Sequence, residues 1–228
     1  MLNSIQSITY EGEIGILSCK CGRFRENSYI ISWPGKDHIV VDPGEGFYDY
    51  YVDHVSDIGM LKGIFLTHAH FDHVGSAGRL SNASGVPVTL HINDRRLLEK
   101  APLYSLMVDK RRIELPKRVE FFQTGGAVEI AGGCRMMIID TPGHTKGSVC
   151  LVVEKLAFTG DTLFYKAVGP TNYLESDYNG LISSVDKLLS NLVDGLCILP
   201  GHGKPWESRA AKIWWSENRE DPYQFDIS

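Results

Sequence analysis

Paired cysteines are missing from this chain. Its five cysteines (Cys19, Cys21, Cys134, Cys150 and Cys197) are odd in number and widely spaced, which excludes the disulfide framework of a small secreted domain. Cys19-Lys20-Cys21 offers half of a structural zinc site, but no second cysteine pair follows, so zinc is not expected there. Cys134, Cys150 and Cys197 sit in apolar runs and read as small buried hydrophobes. Long hydrophobic runs are also missing. None approaches the about 20 residues a membrane-spanning helix needs, so no membrane partner is expected. The opening Met1-Leu2-Asn3-Ser4-Ile5-Gln6 lacks the basic and apolar regions of a signal peptide, so a cytoplasmic location is expected. Excess positive charge is lacking too: the net charge is −5, which argues against nucleic-acid binding driven by phosphate attraction. With no low-complexity segment or long linker, residues 1–228 read as one domain.

What is present is an ordinary globular composition, 43 % apolar and 22 % charged. Strands are expected at Gly15–Cys19, Ser28–Trp33, His38–Val41, Gly63–Leu66, Pro87–Leu90, Ala127–Ile130, Arg135–Ile139, Ser148–Val153, Leu156–Thr159 and Leu196–Leu199. These are apolar, partly β-branched runs between Gly, Pro or Asp. Helices are expected at Tyr48–Ser56, Val74–Ser84, Asn93–Lys100, Ser183–Leu192 and Ser208–Glu217. The interleaving predicts an α/β fold with mixed sheets covered by helices. Basic residues gather at Arg95-Arg96, Lys110-Arg111-Arg112 and Lys117-Arg118. They read first as solvated helix faces, and alternatively as a rim that attracts an anionic substrate.

The chemistry is concentrated in Thr67-His68-Ala69-His70-Phe71-Asp72-His73, where three of the eight histidines follow a short apolar run. Metals bind where N and O donors converge at about 2 Å. Three further loops repeat the plan of apolar strand, glycine turn and strong ligand. They are Asp140–Thr145 with His144, Thr159–Thr162 with Asp161, and Pro200–Gly203 with His202. The donors His68, His70, Asp72, His73, His144, Asp161 and His202 exceed the three or four protein ligands of one catalytic zinc. They fit two divalent ions, each with an open position. His68 and His70 point the same way from a turning segment, so with His144 they are expected to hold the first ion. Asp72 and His73, beyond the turn, join His202 around the second. Asp161 bridges, because a carboxylate has two oxygens. His38, His54 and His91 lack such company and read as structural.

This pattern resembles the metallo-β-lactamase superfamily. The resemblance rests on His-x-His-x-Asp-His, Thr141-Pro142-Gly143-His144-Thr145, Thr159-Gly160-Asp161-Thr162 and Gly201-His202-Gly203, supported by Arg25–Tyr29 and Val40–Gly44. It implies an αββα sandwich of two mixed β-sheets flanked by helices, with the metals at one sheet edge, and the same ligand partition. Gly160–Phe164 and Leu199–Gly203 are most similar to the hydroxyacylglutathione hydrolase (glyoxalase II) group. Pro170 stands where relatives often carry a basic residue, and 26 residues follow His202, fewer than the helical C-terminal region of longer members. The label is therefore a short, glyoxalase II-like hydrolase. The expected reaction is attack of hydroxide from a binuclear centre on a thioester or related ester of a small molecule, with Asp72 orienting or relaying the proton. Zinc is the first expectation for the metals, with iron or manganese as alternatives. Tyr165, Lys166 and Tyr173 are candidates to line the substrate pocket. The competing readings are a mononuclear iron persulfide dioxygenase using His68, His144 and Asp161, and a lactone hydrolase.

Overall fold

The structure is a computed structural model describing residues 6–9, 14–35, 37–55 and 60–222. Its first half runs β1 (Gln6–Thr9), β2 (Gly15–Cys21), β3 (Glu26–Ser32), β4 (His38–Val41), α1 (Phe47–His54), β5 (Leu61–Phe65), α2 (Phe71–Val74), α3 (Ala77–Ser84), β6 (Val88–His91), α4 (Arg95–Val108) and β7 (Val119–Phe122). The second half runs β8 (Gly126–Glu129), β9 (Arg135–Asp140), β10 (Val149–Val153), β11 (Leu156–Gly160), β12 (Leu163–Phe164), β13 (Ala167–Val168), α5 (Tyr178–Asn191), β14 (Cys197–Pro200), β15 (Trp206–Glu207) and α6 (Ser208–Asn218).

The first seven strands form one sheet in sequence order. Pairing is antiparallel from β1 to β4 and parallel from β4 to β7. The second sheet has the order β15-β14-β11-β10-β9-β8, with only β11 and β14 parallel. Both sheets are mixed, as expected.

The period-2 alternation of a strand decides what each residue touches. In β3 and β4, Ile30 and Val40 pack with Tyr50, Leu80 and Leu97 from the helices, whereas Ile31, Ile39 and Val41 face the other way. There they meet Leu151, Phe158 and Leu199 from the second sheet. The alternate residues Cys150, Ala157 and Ile198 turn outward onto Leu181, Val185 and Leu188 of α5 and Trp214 and Trp215 of α6. Three apolar layers therefore separate four structural layers: helix, sheet, sheet, helix. Trp214 and Trp215 dock on this core; Tyr223 and Phe225, their sequence neighbours, lie outside the described residues.

Several elements differ from their expected bounds. The helix expected at Val74–Ser84 is two helices, α2 and α3. The chain breaks because Ser76 N–H donates to Pro43 O at 2.8 Å, while Ser76 Oγ accepts from Tyr48 N. α4 runs on through Pro102 to Val108. The lost N–H costs one helical bond, but the buried face Leu97, Leu98, Ala101 and Ser105 continues past it. The first helix ends at His54; Ser56 is not among the described residues. Strands β1 and β7 lie outside the expected set, as do β12, β13 and β15, which at two residues each are too short to carry a pattern. Cys150 is buried as expected, whereas Cys134 and Cys197, beside strand ends, are only partly so. Among the described residues, no helix is long and apolar enough to cross a membrane.

The topology gathers strand ends. β4 and β5 are parallel, and β9, β11 and β14 run the same way as one another, so each group finishes at a common sheet edge. Backbone bonds join the two edges: Val149 N–H donates to Thr67 O at 2.9 Å, and Asn27 N–H to Gly201 O at 2.7 Å. The loops carrying all seven expected donors meet there.

Candidate metal centre

Each histidine of this edge is held by its outward nitrogen. Thr67 gives its hydroxyl proton to Asp42 Oδ2 at 2.6 Å, so its oxygen accepts from His68 Nδ1–H at 3.1 Å. His70 Nε2–H donates to Glu175 Oε1 at 2.9 Å, His73 Nδ1–H to Asp42 Oδ2 at 3.0 Å, His144 Nδ1–H to Pro170 O at 2.8 Å, and His202 Nδ1–H to Phe24 O at 3.1 Å. Carbonyls and carboxylates can only accept, so these bonds fix the tautomers. The other nitrogen of every ring faces inward, where it offers a lone pair whenever the ring is neutral, which is how metal-binding histidines are oriented.

The inward atoms form two overlapping groups. His68 Nε2 lies 3.1 Å from His70 Nδ1, which lies 2.8 Å from His144 Nε2. Asp72 Oδ2 stands 3.3 Å from His202 Nε2 and 3.9 Å from His73 Nε2. Asp161 lies between the groups: Oδ1 is 3.2 Å from His73 Nε2, and Oδ2 is 3.4 Å from His144 Nε2, 3.6 Å from His202 Nε2 and 4.0 Å from His68 Nε2. All seven sequence-predicted donors are thus brought together, in groups that overlap at Asp161.

The donor set fits divalent cations. Asp72 Oδ2, His73 Nε2, both Asp161 oxygens and His202 Nε2 are buried without an aligned hydrogen bond. Each such atom costs about 1–3 kcal/mol when left unsatisfied, and five in one place are not tolerated without a compensating charge. Imidazole and carboxylate donors suit zinc, iron or manganese. His68, His70 and His144 would hold one ion and Asp72, His73 and His202 the other, with Asp161 able to reach both.

Electrostatics differ between the groups. Burial pushes His68 well below the usual histidine range, reinforced by His73. Burial and the neighbouring His70 bring His144 down to about 4. Burial also opposes charge on His73 and His202, but Asp161 and Asp72 overcome it and raise both. The same histidines, acting against burial, hold Asp72 at about 2 and Asp161 well below the carboxylate range. His68 and His144 are therefore neutral and ready to ligate. The second group carries protons that a metal must displace.

Backbone geometry makes the close approach possible. A Cβ on Gly201 would collide with Asp161 Oδ1 and stand 2.7 Å from His73 Cε1. The β3 segment holds this loop in turn: Asn27 Nδ2 donates to Pro200 O at 2.9 Å and Tyr29 Oη to the same carbonyl at 2.7 Å.

Residues 21–202 match the family model described as the metallo-beta-lactamase superfamily. The chain belongs to the metallo-β-lactamase superfamily. Its four layers are that fold, and it is accordingly a metal-dependent hydrolase of this superfamily. It is 33% identical over 186 residues to the hydroxyacylglutathione hydrolase GloC of Haemophilus influenzae, covering 79% of this chain and 86% of that one. The crystal structure of the BLEG-1 B3 metallo-beta-lactamase superposes with a TM-score of 0.77 at 26% identity, covering 87% of this chain and 96% of the other. That of TTHA1623 in a di-iron-bound form gives 0.72 at 28% identity, covering 85% and 95%.

A cavity of about 540 Å³ opens beside the superfamily centre, lined by His70, Asp72, Arg23, Phe24, Phe71, Tyr104, Val108, Asn172, Tyr173, Leu174 and Glu175. Tyr173, expected at the pocket, does line it, with its ring 5.0 Å from that of His70. Tyr165 and Lys166 are not in this lining. Tyr165 packs on Trp206 under the Lys204 ammonium, which lies 3.9 Å from its ring centroid. Three residues were not singled out from sequence as orienting groups. Asp42 holds His73 and Thr67, and Glu175 holds His70. Asp94 Oδ2 accepts from Ala69 N–H and Thr145 Oγ1, and its Oδ1 from Gly147 N–H. His38, His54 and His91 lie apart, against Tyr51, Tyr50 and the Gln123 carbonyl.

Proposed function

We propose that this chain is a two-metal thioester hydrolase of the glyoxalase II type, acting on a small soluble substrate in the cytoplasm, with zinc as the first candidate metal. The observation that carries the reading is the set of four histidine nitrogens, on His68, His73, His144 and His202, that stand within 4.0 Å of Asp161, whose two oxygens face both groups. The names of two relatives add support: GloC is a hydroxyacylglutathione hydrolase, and TTHA1623 holds two irons. Divalent ions in such a site supply an activated water near neutral pH and polarise a carbonyl oxygen.

The residues of the chain do the rest. Thr67, Asp42, Glu175, Pro170 and Phe24 hold the rings so that little reorganisation is needed. Asp72, partly exposed and lining the cavity, keeps Oδ2 inward beside His202 and can orient or relay a proton with its other oxygen. Tyr173 stands edge-on to His70 and His144 and shields that side of the centre from water. Phe24, Phe71 and Tyr104 offer an apolar wall for an acyl group.

The test is a panel of thioesters, lactones, a β-lactam and glutathione persulfide, run on freshly purified protein with metal analysis. Thioester turnover should exceed the rest by at least about tenfold, a difference of about 1.4 kcal/mol in transition-state binding. Oxygen consumption with the persulfide, on one iron per chain, would replace the hydrolase reading with a dioxygenase.

A further inference from the structure

The cavity beside the centre adjoins a second cleft of about 570 Å³, lined by Lys20, Gly22, Arg23, Glu45, Gly46, Val108, Asp109, Lys110 and Arg111. Arg23 and Val108 line both. The two differ sharply in chemistry. Near the centre the wall is aromatic and aliphatic, and its carboxylates, Asp72 and Glu175, already face histidines. The second cleft has four cationic side chains and two carboxylates. Glu45 is taken by Arg111 at 2.6 Å, and burial raises the pKa of Asp109, opposed by nearby Arg23 and Arg111. Among the described residues Lys20 and Arg23 form no ion pair, and the Lys110 ammonium bonds only to the Met107 carbonyl at 3.0 Å.

This excess of positive charge opposes the chain's net charge of −5, so it does not follow from composition. It is assembled from three segments: β2, the turn before β3, and the turn after α4, where Lys110 holds a left-handed φ of 58°. The other basic clusters are occupied elsewhere: Arg95 pairs with Glu99 at 3.1 Å, and Arg118 Nη1 donates to Gly85 O at 2.7 Å.

We propose that this cleft is a leaving-group subsite, and that the preferred leaving group is a thiol bearing phosphate. The inference rests on the thioester reading above. A thioester has two halves, and the uncharged acyl half belongs against the apolar wall. The carrier half can then pass Arg23 and Val108 into the cationic cleft. One carboxylate would need one cation; Lys20, Arg23 and Lys110 together suit the several charges of a phosphorylated carrier. Such clefts raise local anion concentration and association rate, and lose that advantage in salt.

The experiment compares one short acyl group on three carriers: coenzyme A, glutathione and neutral N-acetylcysteamine. kcat/KM should be highest for coenzyme A, and only that advantage should fade between low and high salt. In the double variant Lys20→Glu/Lys110→Glu, the ratio of coenzyme A to N-acetylcysteamine turnover should fall at least about tenfold. Calorimetry with free coenzyme A should show a matching loss of binding. A ratio unchanged by the double variant, or a preference for glutathione, overturns the subsite while leaving thioester hydrolysis standing. Absence of turnover with all three carriers overturns both.

Discussion

Asp94 Oδ2 accepts the hydroxyl proton of Thr145 at 2.8 Å, tying the loop that carries His144 to the start of α4. The same carboxylate holds Ala69 between His68 and His70. One buried side chain thus fixes the spacing of all three nitrogens of the first group. Burial raises its pKa, although Thr145 and two backbone N–H groups favour the charged form.

Replacing Asp94 with Ala should therefore loosen metal binding without removing a ligand. An orienting partner of this kind is worth about 10–100-fold in metal affinity. Competition with a chelator measures it, and the loss should be greater for the ion held by His68, His70 and His144. Unchanged affinity would reduce Asp94 to a structural brace.

Asp161→Ala removes the oxygens that face both groups. Turnover should disappear, and bound metal should fall. Elemental analysis with a thioester assay decides it: a variant with full metal and near-normal turnover would remove Asp161 from its bridging place.

Gly201→Ala tests the backbone rather than a ligand. The added Cβ would overlap Asp161 Oδ1, so either the carboxylate or the His202 loop must move. Catalytic geometry is sensitive to about 1 Å, so kcat should fall at least about a hundredfold with the fold intact by circular dichroism. Wild-type kcat would show that the loop yields freely.

The pH response should be stepwise. Metal must displace protons from His73 and His202, whose pKa values lie above the usual histidine range, whereas His144 stays neutral down to about pH 4. As pH falls from 7, protons return first to His73 and His202, so the ion beside Asp72 should leave at a higher pH than its partner. In the metal-free protein, the His73 shift contributes stability that is complete below the unfolded pKa of about 6.5 and lost as pH rises through the folded value. Metal content after dialysis across this range is the measurement; loss of both ions in a single step near pH 4 would contradict the asymmetry.

The ligands were legible in the sequence because each lies in a short loop after an apolar strand, clustered at His68–His73 and beside a glycine at His144, Asp161 and His202, a local signal. The residues that aim them were not. Asp42 and Glu175 act on histidines 31 and 105 residues away, and nothing local marks such a partner. Asp94 stands at the N-cap of α4, yet its side chain caps nothing there and holds the ligand loops instead. The interleaving made the mixed α/β fold legible and the family resemblance implied the sandwich; the structure adds that Ile30 and Ile31, like Ile39 and Val40, face opposite layers. The helix expected to end at Lys100 runs on through Pro102, because a buried face outweighs one missing bond. Tyr165 and Lys166 share a loop with the site's glycine turn, but β12 and β13 pair tightly there and direct Tyr165 onto Trp206.

The central claim is a pair of ions sharing Asp161, and a metal titration of the stripped protein tests it most directly. Thioester turnover should rise to a plateau at two equivalents of zinc per chain, and chelation should reverse it. A plateau at one equivalent, with the second ion adding no activity, would contradict the account.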